Sequence, residues 1–193
     1  MKEQEEDVLN STTKGKNFAI IAAICLLAVF AYSVYFIVSK LNGPVYSEEL
    51  GMTLTFSITA GTVIGWIVMF LIPATLFTRN TKAVLCAASA YCLYRLYNLI
   101  TAFSASEFLF FLAAAAFVIA VILTIKQNGM ISFFWFLPAA FLLVRLIIMY
   151  ANTFNNQVTA NLAGSLLITI LFDVLTLAGF LFAGLWLKAA AKE

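Results

Sequence analysis

The sequence predicts an all-α protein, a polytopic transmembrane bundle of six helices, and three observations lead to that prediction. Hydrophobic residues make up 64% of the 193 residues and charged residues only 10%, a balance that the surface of a water-soluble domain of this length cannot carry. The mean hydropathy is +1.02. The third observation is a set of six apolar runs of roughly 18 or more residues, the length that crosses a bilayer. A lipid bilayer is therefore the expected environment of the chain.

The six apolar runs follow one another along most of the chain. Residues 1–17, which carry the mixed charge run KEQEED, are expected to form a disordered cytoplasmic leader, and residues 189–193 a cytoplasmic tail. Residues 18–188 are then one transmembrane domain, because the connectors are too short for a second domain. The predicted spans are Phe18–Val38, Leu54–Phe77, Ala83–Phe103, Phe108–Ile125, Ile131–Tyr150 and Leu162–Leu187.

Most of these runs end at a segment rich in turn-forming residues. The first is followed by the longest connector, residues 39–53, which contains Asn-Gly-Pro and is expected to fold as a short interfacial piece. Turn-rich connectors also follow the second, fourth and fifth runs, at 78–81 (TRNT), 126–129 (KQNG) and 152–157 (NTFNNQ). Because short connectors join antiparallel neighbours, one compact bundle is expected.

Lysine and arginine are unevenly distributed between the two sides of the predicted bundle. Eight of the eleven fall on the side that both termini share: Lys2, Lys14, Lys16, Arg79, Lys82, Lys126, Lys188 and Lys192. Only Lys40 falls on the other side, and the remaining two lie within spans. Since cytoplasmic loops carry the excess of basic residues, both termini of this multi-pass protein are expected on the cytoplasmic side of a cytoplasmic (inner) membrane.

Three ionisable residues lie inside predicted spans: Arg95 in the third, Arg145 in the fifth and Asp173 in the sixth. A charged side chain at the centre of a transmembrane helix costs about 2.5–3.5 kcal/mol on insertion. Each of the three therefore needs a partner, a water-filled cavity or a route to the interface. Because Asp173 can neutralise only one guanidinium, the spans are expected to contain one unneutralised arginine.

Helical spacing groups further polar residues with these charges. Tyr91, Tyr94 and Asn98 share one face of the third span with Arg95, at i, i+3, i+7 and i+4. In the sixth span, Thr169 lies four residues before Asp173 within a longer stripe of hydroxyl and amide side chains. Spans three, five and six are therefore expected to form a polar seam inside the bundle.

Two interpretations of the polar seam follow. In the structural one, Arg95 pairs with Asp173, and Arg145 extends to the outer headgroups. In the functional one, both arginines line an outward-facing cavity and bind a small anionic or zwitterionic solute. Glu107, at the outer start of the fourth span, is an alternative counter-ion for Arg145.

Composition argues against several classes of function. The chain contains no histidine, which excludes histidine-based acid–base catalysis and histidine-ligated metals or haem, so no cofactor, metal or enzymatic activity is expected. Three cysteines, Cys25, Cys86 and Cys92, lie in apolar runs and form no CxxC pair, which indicates neither a disulfide framework nor a metal site. A net charge of only +2 gives no indication of nucleic-acid binding.

Two segments carry a resemblance: FFWFLPAAFLLVRLIIMYANTFNN at 133–156 and LFDVLTLAGFLFAGLWL at 171–187. Through them, the layout of the chain resembles uncharacterised small six-span membrane proteins of Gram-positive anaerobic bacteria, which implies a bacterial membrane protein but no activity. By size and span count the chain also resembles the substrate-capture subunit of a vitamin transporter. The alanines of the first span match only part of the docking pattern of those subunits: Ala19, Ala22, Ala23, Ala28 and Ala31.

The sequence thus leaves two functions open. The first is a small-solute binding or transport subunit, in which Arg95 and Arg145 hold the anion and Asp173 holds Arg95 or a cationic group. In that function Tyr91, Tyr94, Asn98 and Thr169 complete the ligand-binding set. The second is a non-catalytic accessory or assembly subunit of a larger membrane complex, whose polar seam specifies packing alone.

Overall fold

A computed structural model describes residues 2–41, 45–47, 52–54, 58–126, 132–155 and 163–191. Over these residues the fold is a bundle of six α-helices, with one short antiparallel strand pair and a 3-10 turn at Ser132–Trp135. The helices are α1 (Lys2–Leu41), α2 (Ala60–Thr78), α3 (Thr81–Thr101), α4 (Ala105–Ile125), α5 (Leu137–Asn155) and α6 (Ala163–Ala190). The strands β1 (Val45–Ser47) and β2 (Met52–Leu54) pair Val45 with Leu54. Leu54 was predicted to begin the second span, and this was wrong, because it lies in β2 and the helix begins only at Ala60.

The all-helical prediction is confirmed, and five of the helices are long and apolar enough to cross a membrane, which fits an integral membrane protein. They are α1 (over Gly15–Ser39), α2, α3, α4 and α6 (over Ile168–Ala190). In α5 the apolar helix covers Leu137–Ala151 and is shorter. The first helix begins at Lys2 and so includes most of the leader that was expected to be disordered. Glutamate, glutamine and lysine in that leader have high helix propensity.

Side-chain caps define the starts of α2, α3 and α4. Thr59 accepts a hydrogen bond from the backbone N–H of Thr62 at 3.2 Å, and Ser104 accepts one from that of Glu107 at 3.1 Å. Between α2 and α3 the chain reverses within two residues: Arg79 adopts a left-handed conformation (φ 56°), and Asn80 caps α3. Tight connections of this kind make sequential helices antiparallel neighbours.

The first and last helices pack along each other in antiparallel fashion. Phe18 stacks on Phe182 with ring centroids 6.1 Å apart, and Tyr32 stacks on Phe172 at 3.7 Å. A Cβ at Gly179 would lie 2.7 Å from the Leu26 side chain, so this glycine allows α1 and α6 to approach closely.

Three of the five alanines compared with a docking pattern lie in the hydrophobic core. Ala19, Ala22 and Ala23 are 0% exposed. They contribute to packing inside the bundle, so they are not available on its surface to dock an energising partner. Small residues let the neighbouring helices approach closely, and the resulting van der Waals contacts stabilise the bundle.

We call the end of the bundle at which α1, α3 and α5 end the distal end, and the opposite end the proximal end. At the proximal end, the Trp135 indole N–H donates to the Thr124 hydroxyl at 3.1 Å, which ties the 3-10 turn to α4. Toward the distal end, Gly65 of α2 is buried against the Tyr94 side chain of α3. Gly65 therefore serves a contact between α2 and α3 inside the bundle.

Candidate functional site

Among the side chains that the structure describes, the ionisable residues of α3 to α6 form two ion pairs toward the distal end of the bundle. In the first pair, Arg95 Nη1 of α3 donates to Glu107 Oε2 at 3.3 Å. Arg95 Nε also donates to the Tyr91 hydroxyl, one turn earlier on the same helix, at 3.0 Å. The Arg95 side chain is 12% exposed and that of Glu107 is 26% exposed. A short connection between α3 and α4 brings the two residues together.

The second pair joins α5 to α6. Arg145 Nη1 donates to Asp173 Oδ1 at 3.0 Å, and the Tyr150 hydroxyl donates to Asp173 Oδ2 at 3.0 Å. Arg145 Nε donates to the hydroxyl of Ser106, at the start of α4, at 2.8 Å. The side chains of Arg145 and Asp173 are 11% and 15% exposed, so both charges are largely removed from the surface.

The predicted partners of the two arginines were wrong. Among the described residues, no ion pair joins Arg95 to Asp173, and Arg145 is bonded inside the bundle instead of extending to the headgroups. Glu107 neutralises Arg95, whereas the sequence suggested it as a partner for Arg145. Neither Arg95 nor Arg145 is therefore without a counter-charge. The start of α4 at Ala105 brings a second carboxylate, that of Glu107, within reach of Arg95.

The Phe110 ring links the two ion pairs. The guanidinium carbon of Arg95 lies 4.2 Å from its centroid, and that of Arg145 lies 4.0 Å from it. A cation over an aromatic face gains about 0.5–2 kcal/mol, more where water is excluded. Each guanidinium group is therefore held by its own carboxylate and its own hydroxyl partner. The two groups also share the Phe110 ring, and these contacts together fix their positions.

A cavity of about 170 Å³, here called the central cavity, lies beside this cluster. Its polar lining comes from Tyr91, Arg95, Asp173 and Thr176, and its other lining residues are apolar or aromatic, including Phe110, Phe172 and Phe180. One positive and one negative side chain thus line the same cavity, and each belongs to a different ion pair. Arg145 is not among the lining residues.

A second cavity, of about 350 Å³ and here called the distal cavity, lies between the distal halves of α1, α2 and α3. None of the described residues that line it carries a charge. Its polar lining includes Ser33, Thr62, Trp66, Tyr94 and Asn98.

The residues predicted to bind a ligand are thus divided between different places. Tyr91, Arg95 and Asp173 line the central cavity, whereas Tyr94 and Asn98 line the distal cavity, although all of the α3 residues share one helix face. Thr169 lies one turn before Asp173 on α6 and is half-buried, and it lines neither of these two cavities.

Sequence reasoning missed Ser106, Phe110 and Tyr150 as members of the cluster. Glu107 carried a usable signal, because an acidic residue in the first turn of a helix, after a short connection, can reach an arginine on the preceding helix. Nothing comparable marks Phe110 within an apolar run that holds several phenylalanines.

Of the residues that the structure describes, no group of three or more histidine, cysteine, aspartate or glutamate side chains is placed to hold a metal ion. No protein-family model, curated protein or solved structure matches the chain, so the geometry of the cluster and its cavities carries the functional interpretation.

Proposed function

We propose that this chain is a non-enzymatic six-span protein of the cytoplasmic membrane, with both termini in the cytoplasm, that binds a small zwitterionic solute in its central cavity. It would act as a binding or transport subunit. The observation that carries the proposal is that Arg95 and Asp173, from two separate ion pairs, line one cavity whose other walls are mostly apolar.

Both charged groups have bonding capacity left for a ligand. Among the described contacts of Arg95, Nε and Nη1 are engaged, which leaves Nη2 to donate to a carboxylate. Each Asp173 oxygen accepts one hydrogen bond and has a further lone pair for an ammonium group. The aromatic side chains of Phe172 and Phe180 would contact an apolar body between the two charged ends.

The volume of the cavity limits the solute to a small molecule. Sites for drug-sized ligands measure about 300–1,000 Å³, whereas the central cavity measures about 170 Å³. A small amino acid with an apolar side chain has the required charges, size and apolar surface. A simple anion is less well suited, because Asp173 would repel it and Glu107 already neutralises Arg95.

Span count and orientation have their own support. The apolar part of α5, Leu137–Ala151, extends about 22 Å at 1.5 Å per residue, and the preceding 3-10 turn at Ser132–Trp135 lengthens the apolar segment toward the ~30 Å of a hydrocarbon core. The basic residues Arg79, Lys82, Lys126 and Lys188 lie at the proximal end of the bundle, which favours a cytoplasmic proximal end. Reporter fusions at each connector test this topology, and a non-cytoplasmic C-terminus would contradict it.

Matched probes test the proposed site in detergent-solubilised protein. Leucine carries both charges, 3-methylbutylamine lacks its carboxylate, and 4-methylpentanoate lacks its amine. Glycine, alanine and phenylalanine extend the panel by size. We expect at least one zwitterion to raise the thermal midpoint in a saturable way, while the amine and the acid have little effect. A ligand at one hundred times its Kd stabilises by about 2.7 kcal/mol, which such a measurement detects.

Two variants of α1 localise the effect. Val29 lines the central cavity, so Val29→Phe should fill it and abolish stabilisation by the zwitterion. Ile24 lies on the same helix and is 55% exposed, so Ile24→Phe should leave the effect intact. Arg95→Met should also abolish it. If no member of the panel stabilises the protein, or if Val29→Phe responds like the parent, the proposed site is wrong.

One observation favours the second candidate function, an accessory or assembly subunit of a larger membrane complex. Both ion pairs are complete within the described part of the chain, so the cluster needs no ligand to neutralise it. Affinity purification of the tagged protein tests this function. Co-purification with a larger membrane protein at a fixed ratio would support it, and isolation of the chain alone would contradict it.

A further inference from the structure

The two cavities have one lining residue in common. Met69 of α2 lines the central cavity and also the distal cavity, so its side chain lies at the boundary between them. Helix α3 continues across the same boundary, with Tyr94 lining the distal cavity and the next residue, Arg95, lining the central one. The guanidinium carbon of Arg95 lies 6.0 Å from the centroid of the Tyr94 ring.

Trp66, one of the residues that line the distal cavity, carries a buried hydrogen-bond donor that no described residue satisfies. The indole Nε1 of Trp66 is buried, and no acceptor among the described residues bonds to it. An unsatisfied buried donor costs about 1–3 kcal/mol. Hydroxyl and amide groups surround the same space, so the cavity is suited to a molecule that presents a hydrogen-bond acceptor.

We propose that the distal cavity is the vestibule of the central cavity and that Met69 is the side chain that a solute displaces to pass from one to the other. The inference rests on the proposed function, because it concerns the route to that binding site. The carboxylate of a zwitterion would first accept from polar groups that line the distal cavity, such as the Thr62 hydroxyl and the Asn98 amide, and then from Arg95.

Methionine suits a boundary that opens. Its side chain is unbranched and has three rotatable bonds, so it adopts other rotamers at low cost and still fills the space between helices when the passage is closed. Because Gly65 of α2 has no side chain, the Tyr94 side chain has room beside the same boundary. A larger, stiffer side chain at position 69 would block the passage, and a smaller one would leave it open.

Cysteine accessibility tests the route without knowledge of the solute. The three native cysteines, Cys25, Cys86 and Cys92, are free thiols and are replaced by alanine. One reporter, Ser33→Cys, lies in the distal cavity, and the other, Thr176→Cys, lies in the central cavity. The probe is 2-aminoethyl methanethiosulfonate, applied to one side of oriented vesicles with free cysteine on the other side to scavenge any reagent that permeates.

We expect Ser33→Cys to react from the distal side at a rate that does not depend on residue 69. Thr176→Cys should react slowly with Met69 present, about tenfold or more faster with Met69→Ala, and more slowly still with Met69→Phe. Equal rates for Thr176→Cys in the three backgrounds, or reaction only from the proximal side, would overturn the proposal. If Thr176→Cys does not fold, Val29→Cys reports on the same cavity.

The zwitterion panel separates this proposal from the proposed function. The panel is measured on the protein that keeps Met69, because Met69 itself lines the central cavity, so its result does not depend on the substitutions at position 69. If a zwitterion stabilises the protein but the labelling rate of Thr176→Cys does not depend on residue 69, only the vestibule proposal is ruled out. If the labelling rate of Thr176→Cys depends on residue 69 but no zwitterion stabilises the protein, only the solute-binding function is ruled out.

Discussion

Removal of the Asp173 charge should destabilise the bundle more than removal of the Arg145 charge. The variant Asp173→Asn is nearly isosteric and keeps a carbonyl oxygen that can accept from the Tyr150 hydroxyl. What it removes is the counter-charge of Arg145, whose guanidinium is 11% exposed and 3.0 Å from the carboxylate. Arginine stays charged in proteins, so this variant leaves a largely buried cation that cannot be neutralised by losing a proton.

The size of the effect follows from the burial of the pair. Loss of one partner of a buried ion pair costs about 3–5 kcal/mol, and we expect Asp173→Asn to cost about 3 kcal/mol because both groups retain some exposure. Arg145→Met leaves a carboxylate that can take up a proton and keeps the Tyr150 bond, so its cost should be about 1–2 kcal/mol. The double variant Arg145→Met/Asp173→Asn leaves no unpaired charge at this pair and keeps an acceptor for the Tyr150 hydroxyl, so it should be destabilised by less than Asp173→Asn alone.

Unfolding of the detergent-solubilised protein by increasing SDS measures these free energies, with the buried residues Trp135 and Trp186 as fluorescent reporters. Glu107→Gln provides a second comparison. Glu107→Gln leaves Arg95, 12% exposed, without its counter-charge, but Glu107 is 26% exposed and bonds to Arg95 at the longer distance of 3.3 Å, so its removal should cost about 1–2 kcal/mol, less than the loss of Asp173. The reasoning is refuted if Asp173→Asn costs no more than Arg145→Met, or if the cost of the double variant equals the sum of the single costs.

Three further predictions concern packing and buried hydrogen bonds, each measured by the same unfolding assay. A Cβ at Gly184 would collide with the backbone carbonyl oxygen of Trp135, so Gly184→Ala should cost about 2–3 kcal/mol, and a neutral result would contradict the close contact. Gly65→Ala should cost less, about 1 kcal/mol, because its Cβ meets the far end of the Tyr94 side chain, which can move; a cost equal to that at Gly184 would contradict this. Thr124→Val removes the acceptor of the Trp135 indole and should cost about 1–3 kcal/mol, with Thr124→Ser as the control that keeps the hydroxyl and the stability.

The helices could be predicted from the sequence because their causes are local. An apolar run of sufficient length forms a helix in lipid to satisfy its own backbone groups. The caps at Asn80 and Ser104 place the starts of α3 and α4 within three residues of the predicted span starts, whereas α2 begins at Ala60, six residues after the predicted start. The helical repeat also predicts that Tyr91 and Arg95 share one face of α3. This prediction is confirmed, since Arg95 donates a hydrogen bond to the Tyr91 hydroxyl.

The ion pairs could not be predicted in the same way. Opposite charge and a common polar seam made Asp173 an acceptable partner for Arg95, but a bond also requires the two helix faces to meet. Arg95 instead bonds to a residue of the next helix, and Asp173 bonds to Arg145 of the preceding one. The shared Phe110 contact depends on how three helices are rotated about their axes, and no local pattern specifies that rotation.

The sequence by itself therefore determined that this is a helical protein of membrane-like composition, where most of its apolar helices lie, and that polar residues such as Tyr91 and Arg95 face the interior. These properties depend on composition and on the 3.6-residue repeat. The tertiary structure decided which carboxylate neutralises each arginine, that Arg95 and Asp173 meet across a cavity, and that Met69 lies between two cavities. Those properties depend on the rotation and register of helices that are distant in the chain, which packing of the whole bundle fixes.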